Sequence, residues 1–457
     1  MRKTFCRLGV LGLLPLSAWL VGCPQQTPDP GPQVNSGLTG QYVGSDRCIT
    51  CHNNRHTEWA QTAHARAFED LQALGQAENP VCLTCHTTGF NLPGGFVDPI
   101  TTQALADVGC EACHGPSRAH VENVADVRLR PTVSIASEIC SQCHNGFHHD
   151  LYSQWSSSRH AHVTEDVAAS VTAGSGSVAT CGACHSGDYR LARFIEGLET
   201  VPNTIAAGVP ASEQNAVECA ICHNPHANTG NALNPPAGHD YMLRYPEVAT
   251  PTQTNDIVEV QNQDRFNLCG QCHKARGRMW TNTDRGPHHS IQANFYLGEM
   301  PTPDGLPSLV PNTNSAHRFV QKQCVTCHMQ PQEGMVDIGV ENVHANHNFR
   351  VVSVENCSTS GCHPTPAVAQ ADWDALRAEI TAGLENIASR LGDPSTWEYS
   401  SEGGPPPAEQ ALLPDEIKKA RFLYHWVLAD GSEGVHNPSY ARVCISTAQM
   451  LLTQIGR

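Results

Sequence analysis

The sequence predicts a mainly α, loop-rich fold with little β structure. Aromatic residues make up only 6% of the 457 residues, whereas the chain holds 21 cysteines, 25 histidines, 31 prolines and 37 glycines. This composition indicates loops organised around something other than a packed side-chain core. No segment sustains the alternation of apolar and polar residues that a half-buried strand needs, so we expect short helices and little sheet.

A repeated Cys-x-x-Cys-His motif dominates the chain. Two thiols on one turn can add to the two vinyl groups of a haem, and the histidine that follows then lies under the iron as its proximal ligand. Zinc explains the repeats poorly, because a structural zinc site takes four ligands from two cysteine pairs and needs no histidine after each pair. We therefore expect covalently bound haem c and a fold organised around stacked haems.

The expected haem thioether residues are Cys48, Cys51, Cys82, Cys85, Cys110, Cys113, Cys140, Cys143, Cys181, Cys184, Cys219, Cys222, Cys269, Cys272, Cys324, Cys327, Cys357 and Cys362. The expected proximal iron ligands are His52, His86, His114, His144, His185, His223, His273, His328 and His363.

The last of these sites, CSTSGCH from Cys357 to His363, has two extra residues between its cysteines. Gly361 gives the longer loop the freedom to bring Cys357 back to the porphyrin edge. The alternative is a disulfide between Cys357 and Cys362, which an oxidising compartment allows. We expect nine haems, or eight if these two cysteines do not bind one.

The distal side of each iron matters because an iron with two protein ligands mainly passes electrons, whereas an open iron can bind substrate. Sixteen histidines lie outside the motifs, which is enough to close every site. Met329 directly follows His328 and is badly placed for the opposite face, so histidine is favoured over methionine. The candidate distal ligands are His64, His120, His160, His226, His239, His288 (or its neighbour His289), His317, His347 and His436.

Two of these candidates lie in similar contexts. His64 in HTEWAQTAHARAF and His160 in YSQWSSSRHAHV both follow a tryptophan by a few residues. The similarity indicates an internal duplication.

The first 40 residues indicate export and anchoring. Residues 1–22 combine a basic start with a short apolar run and are typical of a signal peptide. The ending Leu-Val-Gly-Cys predicts lipidation of Cys23, and the Pro/Gln-rich residues 23–40 then form a flexible tether. We expect an exported, lipid-anchored protein that faces the periplasm or lies at the outer membrane or cell surface. The alternative is cleavage elsewhere, which would leave a soluble periplasmic protein.

The rest of the chain divides into three regions. Residues 41–135 form an N-terminal three-haem region and residues 136–365 a six-haem region. Residues 366–457 form a helical region without haem motifs, in which one helix ends at Gly392, another runs from Pro414 to about Asp430, and a third starts at Asn437. The net charge of −16 argues against nucleic-acid binding.

The motifs CEACHGPSRAH, CAICHNPH, GPHHS and CVTCHM, followed by EGVHNPSYA near the C-terminus, resemble multihaem c-type cytochromes. The lineage that they resemble includes nitrite reductase, hydroxylamine oxidoreductase and purely electron-carrying relatives. The resemblance implies close pairs and wires of haems, electron transfer, and other redox proteins as donor and acceptor. An oligomer through the terminal helices is compatible with it.

The alternative is a multihaem oxidoreductase of small nitrogen or sulfur compounds with one open haem. Ammonia-forming nitrite reductases use a C-x-x-C-K motif, which this sequence lacks. Some hydroxylamine oxidoreductases cross-link the open haem to a tyrosine in the C-terminal helices, a position that Tyr424 or Tyr440 would occupy. Packing between those helices is the simpler role for both tyrosines. We therefore expect an electron carrier rather than an enzyme.

Overall fold

The computed structural model describes residues 41–146, 150–172, 175, 177–198, 209–230, 240–244, 268–276, 279–300, 306, 309–311, 313–320, 323–330, 345–359 and 361–457. The expected signal peptide, the tether with Cys23, and His239 lie outside the described residues.

The described chain is helix-rich, and the expected fold class is confirmed. Strand pairing within the described residues is limited to one isolated bridge between His223 and Leu243. The α-helices are α1 Ile49–Trp59, α2 Ala67–Ala73, α3 Pro80–His86, α4 Cys110–His114, α5 Arg118–Glu122, α6 Glu138–Ser141, α7 Leu151–Ser156, α8 Glu165–Ala168, α9 Val178–His185, α10 Gly187–Arg190, α11 Cys219–Cys222, α12 Gln292–Leu297, α13 Cys324–His328, α14 Glu355–Thr359, α15 Pro366–Leu391, α16 Pro407–Gln410, α17 Asp415–Asp430 and α18 Pro438–Gln454.

Short 3-10 turns and one π-helical turn connect these helices. The 3-10 turns are Ser45–Arg47, His64–Arg66, Gln103–Leu105, Val127–Leu129, Arg159–Ala161, Ala211–Glu213, Cys269–Gln271, Ala316–Phe319, Pro394–Thr396 and Ser400–Glu402, and the π turn is Leu191–Ile195.

Helices α15, α17 and α18 form the C-terminal end, and their boundaries follow local capping. The hydroxyl of Thr365 accepts a hydrogen bond from the amide of Val368 at the start of α15, and Gly392 ends that helix with φ of 85°. The Asn437 side chain accepts from the amide of Tyr440 and starts α18. The helix end at Gly392 and the start at Asn437 predicted from the sequence are both confirmed.

The largest apolar core lies between these three helices and seven residues of the preceding region, which are Ala275, Trp280, Ile291, Phe295, Met300, Leu306 and Val310. It contains the inward stripe of α15, with Ile380, Ile387 and Leu391 at 1% exposure or less. A smaller core around Phe68, Leu83 and Phe96 supports the N-terminal region. The main core therefore crosses the expected boundary at residue 365 and joins the terminal helices to the motif-bearing body.

Replacing Ile387 by Ala is expected to destabilise this core. Ile387 is fully buried, and truncating a buried isoleucine costs about 2–5 kcal/mol. The midpoint of denaturation, followed by circular dichroism, should fall. The control is Met450→Ala on α18, where the side chain is 44% exposed and the effect should stay within about 0.5 kcal/mol.

No helix in the described part of the chain combines the length and the apolar character that a membrane crossing requires.

Candidate haem-binding sites

The motifs fold as single helical turns, and we number them sites 1 to 9 in chain order. The amide of the motif histidine donates to the carbonyl of the first cysteine, for example from His52 to Cys48 at 2.8 Å and from His144 to Cys140 at 2.9 Å. One turn therefore holds both sulfurs and the imidazole together, as attachment of one haem requires.

The irregular ninth motif keeps the same bond. The amide of His363 donates to the carbonyl of Cys357 at 3.2 Å although two more residues separate them. Gly361 takes up the extra length with φ of 74°, a conformation that glycine adopts readily. The irregular motif therefore shares the backbone bond of the regular motifs.

A cavity of about 330 Å³ opens beside the ninth motif. Its walls include Cys357, His363 and the candidate ligand His317, together with Trp373 of α15 and Arg442 of α18. The Trp373 indole nitrogen is buried without a hydrogen-bond partner. The cysteine, the two histidines and this unsatisfied donor suit a haem, while Asp372 and Glu379 also line the cavity and Arg442 is paired with Glu379.

Hydrogen bonds orient many of the site histidines. A main-chain carbonyl accepts from Nδ1 of His86, His114, His223 and His328 among the motif histidines, at distances of 2.7 to 3.1 Å. Carbonyls also accept from Nδ1 of His317 at 2.6 Å and of His347 at 2.7 Å. A bond of this kind fixes the ring and its tautomer and leaves Nε2 available as a metal ligand.

Six motif histidines face a second histidine from elsewhere in the chain. An imidazole nitrogen binds a metal at about 2 Å, so two rings on opposite sides of one metal have centroids about 6 Å apart. The observed centroid distances are His144–His64 6.3 Å, His114–His226 6.2 Å, His273–His160 6.0 Å, His185–His288 6.4 Å, His223–His347 6.3 Å and His328–His436 6.0 Å. The spacing leaves room for one metal ion between the rings of each pair.

Burial lowers the pKa of four of the six facing histidines, which are His64, His160, His226 and His288, and so favours the neutral ring that metal ligation requires. Burial, with a smaller effect of nearby cations and histidines, lowers the pKa of His160 and of His226 to about 4, and that of His288 to about 3. His436 differs. Burial alone would lower its pKa, but the charge and hydrogen bond of Asp430 outweigh burial and raise it.

The remaining candidates have different surroundings. His317 lines the cavity beside His363. His289 lies as far from His185 as His288 does, at 6.4 Å, and the three rings form one cluster. Within the described residues, no ring contact joins His120 to a motif histidine, although its Nδ1 is buried and unsatisfied. In the same part of the chain no ring contact joins His52 or His86 to another histidine, although His86 adds to the effect of burial in lowering the pKa of His64 and is therefore its neighbour.

The expected internal duplication is visible in hydrogen bonds. The Trp59 indole donates to the carbonyl of Val108 at 3.1 Å, and the Trp155 indole donates to the carbonyl of Val217 at 2.9 Å. The amides of the same two valines donate to the carbonyls of His64 and His160, respectively. Each valine lies two residues before the first cysteine of a motif, so one local fold holds a candidate distal histidine twice.

A second set of contacts repeats in the same way. The hydroxyl of Ser45 accepts from the amide of Cys110, and the hydroxyl of Ser137 accepts from the amide of Cys219. Each serine lies three residues before another motif. In each copy of the duplicated fold, this hydrogen bond connects two motifs, which are sites 1 and 3 in the first copy and sites 4 and 6 in the second.

Thiols of different motifs also lie near one another. Five pairs of thiols are close enough to shift each other's pKa strongly, namely Cys48–Cys110, Cys85–Cys143, Cys140–Cys219, Cys184–Cys272 and Cys269–Cys324. Three more pairs are electrostatic neighbours, namely Cys113–Cys140, Cys222–Cys272 and Cys327–Cys357. Through these neighbouring thiols the nine sites form one connected series.

The two tyrosines of interest pack against other aromatic rings. Tyr440 is fully buried and meets Phe295 edge-on, with 5.3 Å between ring centroids. Tyr424 meets Trp397 edge-on at 6.0 Å. Both rings therefore contribute to packing around the terminal helices.

Comparison with known proteins finds one family model that matches part of the chain, and two relatives. Residues 47–115 match the family model described as cytochrome c554 and c-prime. Cytochrome c-554 of Nitrosomonas europaea is 33% identical over 92 residues, which are 17% of this chain and 39% of that protein. The C-type polyheme cytochrome OmcB of Geobacter sulfurreducens is 26% identical over 284 residues, 60% of this chain and 30% of that protein. The chain thus spans well under half the length of both relatives.

Two solved structures share the fold over most of the chain. The outer cell wall cytochrome OcwA aligns with a TM-score of 0.58 at 19% identity, covering 90% of this chain and 99% of that one. The undecaheme cytochrome from the S-layer of Carboxydothermus ferrireducens aligns with a TM-score of 0.56 at 20% identity, covering 93% and 70%.

Proposed function

We propose that this chain, which is a multihaem c-type cytochrome, carries electrons along nine haems between other redox proteins. Haem c bound at the motifs would supply the one-electron chemistry. The observation that carries the proposal is that thiols of neighbouring sites form one connected series of electrostatic neighbours.

The path that these neighbouring thiols define has a main line and two side branches. The main line passes through sites 1, 3, 4, 6, 7, 8 and 9, while site 2 joins it at site 4 and site 5 joins it at site 7. A carrier needs such continuity, because an isolated haem cannot pass on an electron. An enzyme with one reacting centre has less need for two separate ends.

We assign iron ligands from the facing rings. His64, His226, His160, His288, His347 and His436 are the distal ligands of sites 4, 3, 7, 5, 6 and 8, and His317 is that of site 9. Two histidine ligands per iron favour a low-spin, six-coordinate state and a carrier role. Redox titration of the ferric protein, with optical and EPR spectra, tests the assignment, because six-coordinate sites should be low-spin. Predominantly high-spin spectra would refute it.

A second candidate function follows from site 2. Nδ1 of His86 donates to the carbonyl of Ala67 at 2.8 Å, so its Nε2 is placed for iron, yet no described histidine ring faces it. An open iron there would favour an oxidoreductase of small nitrogen or sulfur compounds. A high-spin EPR component that disappears on adding cyanide or nitrite, and that is lost in His86→Ala, would support this function over a pure carrier.

For the regions of the chain, we propose a three-haem region at 41–135, a six-haem region at 136–365 and a haem-free helical region at 366–457. For location, we propose export and a lipid anchor at Cys23, with the folded body facing the periplasm or the cell surface.

Replacing Cys23 by Ala should release the protein from membranes into the soluble fraction, because it removes the acylated thiol. Cell fractionation with haem staining measures the change. Cys6→Ala, within the same signal segment, is the matched control and should leave the protein in the membrane fraction. An unchanged distribution of Cys23→Ala would show that lipid on this cysteine does not hold the protein.

A further inference from the structure

The group that accepts a hydrogen bond from Nδ1 of the site histidine differs between sites. Most acceptors among the described site histidines are neutral. They are the carbonyls already described, the Gln292 side-chain oxygen for His273 at 3.2 Å, and the Ser290 hydroxyl for His288 at 3.0 Å. Two acceptors are carboxylates, and both belong to the last two sites of the chain.

The stronger carboxylate contact is at site 8. Oδ1 of Asp430 lies 2.7 Å from Nδ1 of His436, and the Asp430 side chain is completely shielded from solvent. The Ser432 hydroxyl donates to the other carboxylate oxygen. Asp430 also ends α17, where the helix dipole places further negative potential.

The weaker carboxylate contact is at site 9. Oδ2 of Asp372, on α15, lies 3.1 Å from Nδ1 of His363. The Asp372 side chain is 60% exposed, so water screens its charge.

An anionic acceptor makes the imidazole a stronger donor to iron, because it draws the Nδ1 proton away from the ring. A stronger donor stabilises the ferric state over the ferrous state and lowers the reduction potential. The effect is largest where solvent is excluded, since the low local dielectric strengthens the interaction. A main-chain carbonyl carries no net charge and acts more weakly.

We propose that Asp430, and more weakly Asp372, lower the reduction potentials of sites 8 and 9 and make the C-terminal end the low-potential end of the chain. This inference rests on the proposed function, since it takes His436 and His363 as iron ligands. Electrons that enter at the C-terminal end then run downhill towards the N-terminal sites. Asp430 and Asp372 are positioning residues that act through the histidines.

The test is spectroelectrochemical titration of the full-length protein with its haems attached. In Asp430→Asn, one haem should titrate at a higher potential, with its ratio of ferrous to ferric iron raised at least tenfold at a given applied potential. For a one-electron couple, that change corresponds to about 59 mV. Asp372→Asn should shift one haem in the same direction by less.

Asp374→Asn is the matched control. It removes the same charge from the same helix, but its side chain bonds Gln370 rather than a histidine, so the titration should match the wild type. If the buried Asp430 variant fails to fold, the exposed Asp372 variant tests whether a carboxylate acceptor on Nδ1 lowers the reduction potential. Unchanged potentials in a variant that keeps its low-spin spectrum would overturn the inference and leave the proposed function intact. Failure of the proposed function would instead appear in the wild type as high-spin irons.

Discussion

Replacing His160 by Ala is expected to convert one iron from low-spin to high-spin and to open it to cyanide or carbon monoxide. The ring centroids of His160 and His273 of site 7 lie 6.0 Å apart, so the substitution would remove the proposed distal ligand while the cysteines of site 7 would still hold the haem. The potential of site 7 should rise, because ferric iron loses an electron donor.

The position of site 7 makes this the substitution with the largest expected effect on electron transfer. Thiols of site 7 are neighbours of those of sites 5, 6 and 8, so a high-potential haem there would trap electrons at a junction. Stopped-flow reduction should show slower equilibration between the two ends, and EPR should show one new high-spin signal. His162→Ala, at an exposed histidine two residues away, is the control. An unaltered EPR spectrum in His160→Ala would rule out His160 as an axial ligand.

Replacing Cys357 and Cys362 together by Ala is expected to remove one haem and to loosen the terminal helices. The mass of the intact protein should fall from nine attached haems to eight. The cavity of about 330 Å³ between α15, α18 and the ninth motif would then lose its occupant. At about 24 cal/mol per Å³ of cavity, the cost is at most about 8 kcal/mol, and less where the helices close together.

Mass spectrometry and the melting temperature of the terminal helices measure these two effects. Cys444→Ala, at a buried cysteine of α18 outside the motifs, should keep all nine haems. A wild-type mass with only eight haems and an oxidised pair of cysteines would establish the disulfide alternative and remove site 9 from the path.

Local patterns in the sequence were enough to predict the motif turns and the ends of the terminal helices. Each of these features is set by residues close together in the chain, such as the cap at Asn437 or the glycine that ends α15. The tryptophan context shared by His64 and His160 likewise predicted a duplication, and equivalent hydrogen bonds confirm it.

The pairing of histidines could not be predicted, because it depends on how distant segments fold together. Nothing near His114 in the sequence indicates that His226 lies opposite it, and His120, which is much nearer, does not face it. The carboxylates that bond Nδ1 were equally hard to predict. Asp430 lies six residues before His436, and it is one of 44 acidic residues in the chain. The main-chain carbonyls that accept hydrogen bonds from Nδ1 could not be predicted, because every residue type carries the same carbonyl.

The facing histidines have a consequence for how the chain matures. His226 lies opposite the motif histidine of site 3, and His347 lies opposite that of site 6. If haems were attached while the chain emerged from its N-terminus, the irons of these two sites would bind their motif histidines before the second ligands were present. Each such iron would have only one protein ligand until a later segment folded against it. Deleting one repeat would remove axial ligands from irons that lie before and after the deletion. A chain built in this way can be lengthened at its ends more readily than it can be shortened in its middle.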